Sequence, residues 1–333
     1  MIRKNKIPIV DAQIIMRVVP QNLQDIDVQL FEHEFNIVNK ASYYYKFRHA
    51  LFVEDTVVGL PWFNFYPEET HLNGSFSREQ IKTYRSKLSI PTSFHAKLVW
   101  ITQNWTWMYF HWITDALTRY IAIEPMLDGH LVAVPSHYKT FSYVEQSLRF
   151  LGIPFVWYDT SKTTYVKELI LPSHTSIPGN YHLDFIHKLR DLFHSKLTKT
   201  TPFRKIYISR SKANSRKLMN ELDLISMLLD FGFEVHCMED YSFEKQVQLM
   251  FETTHLLGVH GGGLTNILFL QSRAKVMEIR MQGDAHNNCY FSLASALDNP
   301  YFYVQVKVMD ATELNLQVDV ELIKQNFKDF FYE

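Results

Sequence analysis

Apolar and polar positions in the second half of the chain follow two alternating periods. Short runs rich in β-branched and aromatic residues have the length of buried strands: KIYIS (205–209), FEVHCM (233–238), HLLGVH (255–260), KVMEIR (275–280) and YFYVQVKV (301–308). Stretches with helical spacing lie between them. ELDLISMLLDFG (221–232) closes on Gly232 as a C-cap, and SFEKQVQLMFETT (242–254) opens on Ser242 as an N-cap. GLTNILFLQ (263–271) and AHNNCYFSLASALD (285–298) complete the series. Strand and helix take turns, which predicts a parallel sheet covered on both faces.

The first half repeats the alternation less regularly. Strands are expected at 96–102, 130–136, 153–159 and 165–173, and helices at 107–127, 138–152 and 184–197. Residues 1–90 show a mixed pattern and receive no assignment. The polar stretch LTKTTPFRK (197–205) reads as a linker. It divides the chain into an N-terminal α/β domain, 1–198, and a C-terminal one, 199–333. The last helix is expected to pack back on the first domain. The expected architecture is two α/β domains facing one another across a cleft.

Composition narrows the function classes. Of 333 residues, 47% are hydrophobic and 21% charged, the profile of a packed globular protein. The net charge of −1 argues against a nucleic-acid backbone as partner. Aromatics at 15% suit both a large aromatic core and a sugar-stacking surface, so they do not decide between the two. The two cysteines, Cys237 and Cys289, form no metal or disulfide framework, which points to a reducing compartment. The start, MIRKNKIPIVDAQIIM, lacks the form of a signal peptide, and no window is apolar enough for a transmembrane helix. The expected location is therefore cytoplasmic, with peripheral attachment to the inner membrane face through MIRKNK as an option. Fifteen histidines form no HExxH motif, and DID (25–27) follows a polar stretch and reads as a helix start.

The densest chemistry sits in LLGVHGGGLTNILFL (256–270), where three of the chain's 11 glycines, Gly261, Gly262 and Gly263, stand between a strand and a helix. Glycine lets the backbone approach a ligand and adopt positive φ, and free amides opening a helix attract an anion. The segment reads as a cradle for a phosphate or carboxylate; a tight strand–helix turn without a ligand is the competing reading. ISRSKANSRK (208–217) follows the first strand of the same domain, so Arg210 and Arg216 should reach the same sheet edge and clamp phosphates, unless they merely solvate a loop. Glu278, taken to end its strand, could accept from ribose hydroxyls or form a salt bridge with Arg280 or Lys275.

In the N-terminal domain, His111 and Asp115 are spaced i, i+4 on one helix face, with Arg119 a turn further. A histidine oriented by a carboxylate, or the carboxylate itself, can take a proton from an attacking hydroxyl. A core histidine bonded to Asp115 is the alternative. Asn104 is a further site residue or part of a helix N-cap.

Two ordered blocks carry a resemblance to glycosyltransferase family 61. One runs from RKIYISRSKANSRKLMNE through VHGGGLTNILF to VMEI, and the other is NWTWMYFHWITDALTRY (104–120). The sequence departs from the family pattern at Gly262, where Ala is common, and at Thr118, where Pro is common. The resemblance covers roughly 95–300. It implies a GT-B fold of two Rossmann-like domains and an inverting transfer. Ser209, Arg210, Arg216, His260, the backbone of Gly261, Gly262, Gly263 and Leu264, together with Asn266, would hold the nucleotide diphosphate, and Glu278 the ribose. His111 and Asp115 would serve catalysis on the acceptor side, where Asn104 and Arg119 are site or structural residues. The expected function is transfer from a nucleotide sugar, with UDP as carrier, to a glycan or lipid-linked glycan in surface polysaccharide synthesis. No metal cofactor is expected, because arginines and helix amides would stabilise the leaving diphosphate. A pyruvyl or phosphoryl transferase of polysaccharides and a non-catalytic nucleotide- or glycan-binding protein are the alternatives.

Overall fold

A computed structural model describes residues 6–72, 74–310 and 312–332. The basic start expected to touch a membrane lies outside the described residues, except for Lys6. The chain folds as two units: 6–13 with 39–178, and 14–38 with 179–332.

The second unit is a six-stranded sheet. Its order is Glu234–His236, Arg204–Ile208, Thr253–Val259, Lys275–Met281, Tyr301–Val308 and Leu316–Gln317, with the first five strands parallel and the last antiparallel. Numbered along the chain, the parallel strands lie in the order 2-1-3-4-5. The order reverses between Arg204–Ile208 and Thr253–Val259, so the crevice beyond their carboxyl ends is the topological switch point where open α/β sheets bind ligands. The expected helices form: Glu221–Asp230 closes near Gly232 at φ 75°, and Ser242 caps Phe243–Phe251 by accepting from Lys245 N at 3.3 Å. The segment after the glycines is a 3-10 helix, Gly262–Phe269.

Two boundaries differ from the sequence reading. The break falls at 178/179 and not in 197–205, because the helix Leu183–His194 belongs to the second unit. Its Phe193 packs on Phe269 at 4.8 Å, and Arg190 Nη1 donates to Leu297 O at 2.6 Å. Residues 14–38 also join the second unit. Phe31 is fully buried between Phe291 (5.3 Å) and Tyr303 (4.9 Å), with the Arg280 guanidinium 4.6 Å over its ring. The DID segment does open a helix, and Asp27 accepts from Tyr303 Oη at 2.7 Å and Gln305 Nε2 at 2.9 Å. The last helix, Val320–Tyr332, belongs to the second unit. Its Ile323, Phe327 and Phe330 fill the core of the second unit beside Phe302 and Phe233, as the i, i+4, i+7 spacing of these large side chains allows.

The first unit is built on a nine-stranded mixed sheet, not a purely parallel one. Phe155–Tyr158, Leu131–Pro135, Ser93–Trp100 and Thr164–Pro172 are parallel neighbours in that order, a 3-2-1-4 arrangement with its own switch point between Ser93–Trp100 and Thr164–Pro172. The other half is antiparallel. Ser42–Phe47 and Ala50–Val53 both pair with Thr164–Pro172, and Thr56–Gly59 and Asn64–Phe65 extend the sheet. The mixed pattern of 1–90 is thus largely a meander, stitched to the parallel half by contacts distant in sequence. The helix expected at 107–127 is interrupted: Tyr109–His111 is α, Trp112–Ala116 is π, and Leu117–Ile123 is α again. Among the described residues, no helix is long and apolar enough to cross a membrane.

Candidate active site

The glycine turn and the ISR loop meet at the switch point of the second unit. The parallel register pairs Ile208 with Gly258, which brings Arg210 level with His260. Arg210 Nη2 donates to Ser215 O at 2.9 Å and Nε to Arg216 O at 3.3 Å. These bonds fold the guanidinium over its own loop and lay Nη1 against Gly261. A Cβ at Gly261 would meet that nitrogen and come within 2.7 Å of Arg210 Cζ. Glycine here leaves room for the guanidinium and does not serve the backbone angle: none of Gly261, Gly262 and Gly263 has left-handed φ, contrary to the sequence reading. Gly263 is equally constrained, since a Cβ would lie 2.9 Å from Ile208 Cγ2, whereas a Cβ at Gly262 would meet open space.

Neither Arg210 nor Arg216 forms an ion pair among the described residues. Burial pushes the Arg210 guanidinium below its ordinary range, and the nearby Arg216 charge adds to that. Arg216 takes a left-handed backbone, φ 57°, held by its amide donating to Glu313 O at 2.9 Å. Glu239 offsets part of the repulsion between the two cations, but with no carboxylate in direct contact among the described residues an anion joining them would be favoured. The amide of Leu264 closes the first turn onto Gly261 O at 2.9 Å. It is therefore used internally and cannot serve a ligand, which corrects the expectation for Leu264. The amides of Gly262 and Gly263 have no acceptor among the described residues and remain available.

His260 is held from two sides. Its amide donates to Ile279 O at 2.9 Å, and its Nδ1 bonds Glu278 Oε1. The Tyr290 ring lies 5.0 Å from the imidazole. With Nδ1 committed to the carboxylate, Nε2 is the nitrogen left for a ligand. Glu278 is in the middle of Lys275–Met281, not at its end, and is fully buried. Its second oxygen accepts from Tyr301 Oη at 2.6 Å. Burial alone would raise this carboxyl, but His260, Arg280 and Tyr301 outweigh it and hold it below the usual carboxylate range. Glu278 is fully buried with each oxygen bonded inside the protein, so it does not face a ribose. It orients His260, and the Arg280 charge helps to hold it below the usual range.

Two further expectations change. Asn266 is fully buried and its Nδ2 donates to Gln246 Oε1 at 3.1 Å, tying the 3-10 helix to Phe243–Phe251. Ser209 is buried, and its Oγ both donates to Ser211 Oγ and accepts from Ser211 N, each at 3.1 Å, shaping the loop that carries Arg210. Both residues build the site and do not line it.

In the first unit, His111 Nδ1 and Asp115 Oδ2 lie 2.7 Å apart. Thr114 Oγ1 donates to Asp115 Oδ1 at 3.1 Å, so the carboxylate is fixed and the imidazole's Nε2 is turned away from it. The π turn that carries the pair is braced by threonines: Thr114 donates to Phe110 O at 2.8 Å and Thr118 to Thr114 O at 2.6 Å. Single π turns inside α-helices mark functional sites often enough to favour that reading. Arg119 is structural. It is fully buried and donates to Ile101 O (3.1 Å), Thr102 O (3.0 Å) and Pro172 O, bridging the two strand ends at this unit's switch point. Burial lowers its pKa to about 10. Asn104 Oδ1 accepts from Leu72 N at 2.9 Å, which anchors the loop and does not cap the helix.

The fold defines a chain with a doubly wound α/β unit whose switch point carries an unpaired arginine pair, a free-amide turn and a carboxylate-held histidine. That is the equipment of an anion-binding site. The model of the family Glycosyltransferase 61 matches residues 109–277, half of the chain, and the chain belongs to that family. The match begins two residues before His111 and ends one residue before Glu278. Over 226 residues, 60% of this chain, it is 26% identical to beta-1,2-xylosyltransferase XAX1 of Oryza sativa subsp. japonica, covering 40% of that protein. Over 85 residues, 24% of this chain, it is 35% identical to the EGF domain-specific O-linked N-acetylglucosamine transferase of Bos taurus, covering 16% of that protein. The chain thus spans less than half the length of these relatives.

Proposed function

We propose that the chain is an inverting glycosyltransferase that moves a sugar from a UDP-linked donor to a glycan or lipid-linked glycan acceptor. The observation that carries the reading is the Arg210–Arg216 pair, which has no direct ion-pair partner among the described residues, against Gly261 at the switch point. The diphosphate would be met by Arg210 Nη1, Arg216, the amides of Gly262 and Gly263, and His260 Nε2. As the sugar–phosphate bond breaks, negative charge grows on the leaving oxygen, and fixed cations and amides stabilise it without a metal. His111, with Asp115 holding Nδ1, would accept the acceptor hydroxyl's proton at Nε2 as that oxygen attacks the anomeric carbon from the opposite face. The names of the xylosyl- and N-acetylglucosaminyl-transferring relatives support sugar transfer as the reaction class.

The proposal implies a GT-B arrangement, in which donor and acceptor units close on one another; small-angle scattering with and without UDP tests that. The setting we propose is cytoplasmic synthesis of a surface polysaccharide by a bacterial-type member of the family. The unpaired state of Cys237 and Cys289 suits a reducing compartment. The direct test is a panel of UDP-sugars incubated with the protein in EDTA, reading release of UDP and, by proton NMR, the anomer of the product. Turnover of one UDP-sugar with inversion supports the reading. A strict requirement for added Mn²⁺ or Mg²⁺ would overturn its metal-free form, and no turnover with any nucleotide sugar would favour a non-catalytic binder.

A further inference from the structure

The first unit carries a cavity of about 470 Å³ that neither the dyad nor the arginine site uses. It lies beyond the carboxyl ends of three adjacent parallel strands, reached through Thr102, Pro135 and Thr160. That is where open α/β sheets place ligands, and the volume falls in the range of small-ligand clefts, ~300–1,000 Å³. Its floor holds unsatisfied polar groups. Thr102 and Gln103 are each 2% exposed, and Thr102 Oγ1 and Gln103 Nε2 have no partner among the described residues. Such groups are rare in folded proteins unless something else bonds them. Gln103 Oε1 is already used by Trp105 N at 2.6 Å, which fixes the amide and its donor end.

The walls define the ligand's chemistry. Glu54 and Asp55 form the turn of the hairpin between Ala50–Val53 and Thr56–Gly59 and line the cavity; Glu54 Oε1 pairs with Lys87 Nζ at 2.6 Å, and Asp55 accepts from Tyr84 Oη at 2.8 Å with His71 Nε2 3.4 Å away, so each carboxylate has only its remaining lone pairs to offer. Among the described residues no lysine or arginine lines it, while Lys87 pairs with Glu54 from outside the lining. An anionic ligand is therefore disfavoured, while hydroxyl donors are welcome. Trp107 contributes a half-exposed indole, an apolar face of the kind that stacks on a sugar ring. The loop that supplies Thr102, Gln103, Asn104 and Trp107 runs directly into His111, and Trp105 in the same loop meets the His111 ring edge-on at 5.8 Å.

We propose that this cavity is a subsite for an uncharged sugar ring of the acceptor, with Glu54 and Asp55 accepting its hydroxyls, Gln103 and Thr102 bonding it from below and Trp107 covering one face. The inference rests on the glycosyl-transfer reading and assigns its acceptor. The loop then does two things: it binds the acceptor sugar and carries the base that deprotonates it.

The test uses the full chain, with methyl glycosides of xylose, glucose, galactose, mannose and N-acetylglucosamine as probes and UDP as an independent probe. Binding is read by saturation-transfer NMR and titration up to ~50 mM, which covers weak single-ring affinities. The expected result is that at least one neutral glycoside binds. Asp55→Asn and Trp107→Ala, both at the exposed rim, should each weaken it about tenfold while leaving UDP affinity unchanged. Binding unaffected by both substitutions would overturn the proposal. So would no binding by any neutral glycoside, or stronger binding by methyl glucuronide or glucose 1-phosphate. If glycosides bind as expected but UDP does not, the donor reading fails and the subsite stands; if UDP binds and glycosides do not, the reverse holds.

Discussion

The Arg210 guanidinium occupies the volume that a side chain at Gly261 would need, so the two residues are one device: the glycine exists to let the arginine lie flat on the turn. Gly261→Ala should displace Arg210 and weaken UDP binding nearly as much as Arg210→Ala does. The double variant should be no worse than either single one, because both remove the same contact. Additive losses in a calorimetric double-mutant cycle would contradict this coupling.

The other two glycines separate a packing requirement from a binding one. Gly263→Ala pushes a methyl into Ile208 Cγ2 and should cost about 1–3 kcal/mol of stability, as overpacking does. Gly262→Ala meets nothing within 4 Å and should be neutral. Urea unfolding midpoints of the two variants check the contrast, and equal losses would refute it.

Asp115 fixes His111 by its Nδ1, so Asp115→Asn should disturb the imidazole without removing it. We expect turnover to fall about 10²- to 10⁴-fold in His111→Gln, less in Asp115→Asn, with UDP affinity unchanged in both. A parallel loss of UDP binding would mean that the pair supports the fold and not the chemistry.

The stability of the second unit should depend on pH through His255, which lies 5.1 Å from Phe330 and 5.0 Å from Phe331. Burial, with Lys275 and Lys205 nearby, pushes it down to about 4 from an ordinary 6.5. Between those values the unfolded chain holds a proton that the folded one does not, so stability falls as pH falls from 6.5 towards 4. His255→Gln should flatten that part of the melting-temperature profile; an unchanged slope would assign the acid sensitivity elsewhere.

The alternation of strand and helix in 205–308 was readable because each element is local and its period is strong: Arg204–Ile208, Lys275–Met281 and Tyr301–Val308 fall close to their expected positions. His111 and Asp115 were readable for the same reason, since four residues of spacing suffice to bring them together. What the pattern could not show is long-range. Phe31 finds Phe291 and Tyr303, Thr164–Pro172 pairs with strands on both sides, and Glu278 turns inward to His260 and not outward to a ligand. Glu54 and Asp55 carried no signal either, because a two-residue hairpin turn reads as punctuation until the sheet places it beside Gln103 and Trp107.

The anion site built on Arg210 is tested most directly by isothermal titration of UDP, in EDTA, into the wild-type protein and Arg210→Ala. The wild type should bind without metal, and the variant about 10- to 100-fold more weakly, as expected for loss of a charge-assisted hydrogen bond. Equal affinities, or binding only with added divalent metal, would contradict it.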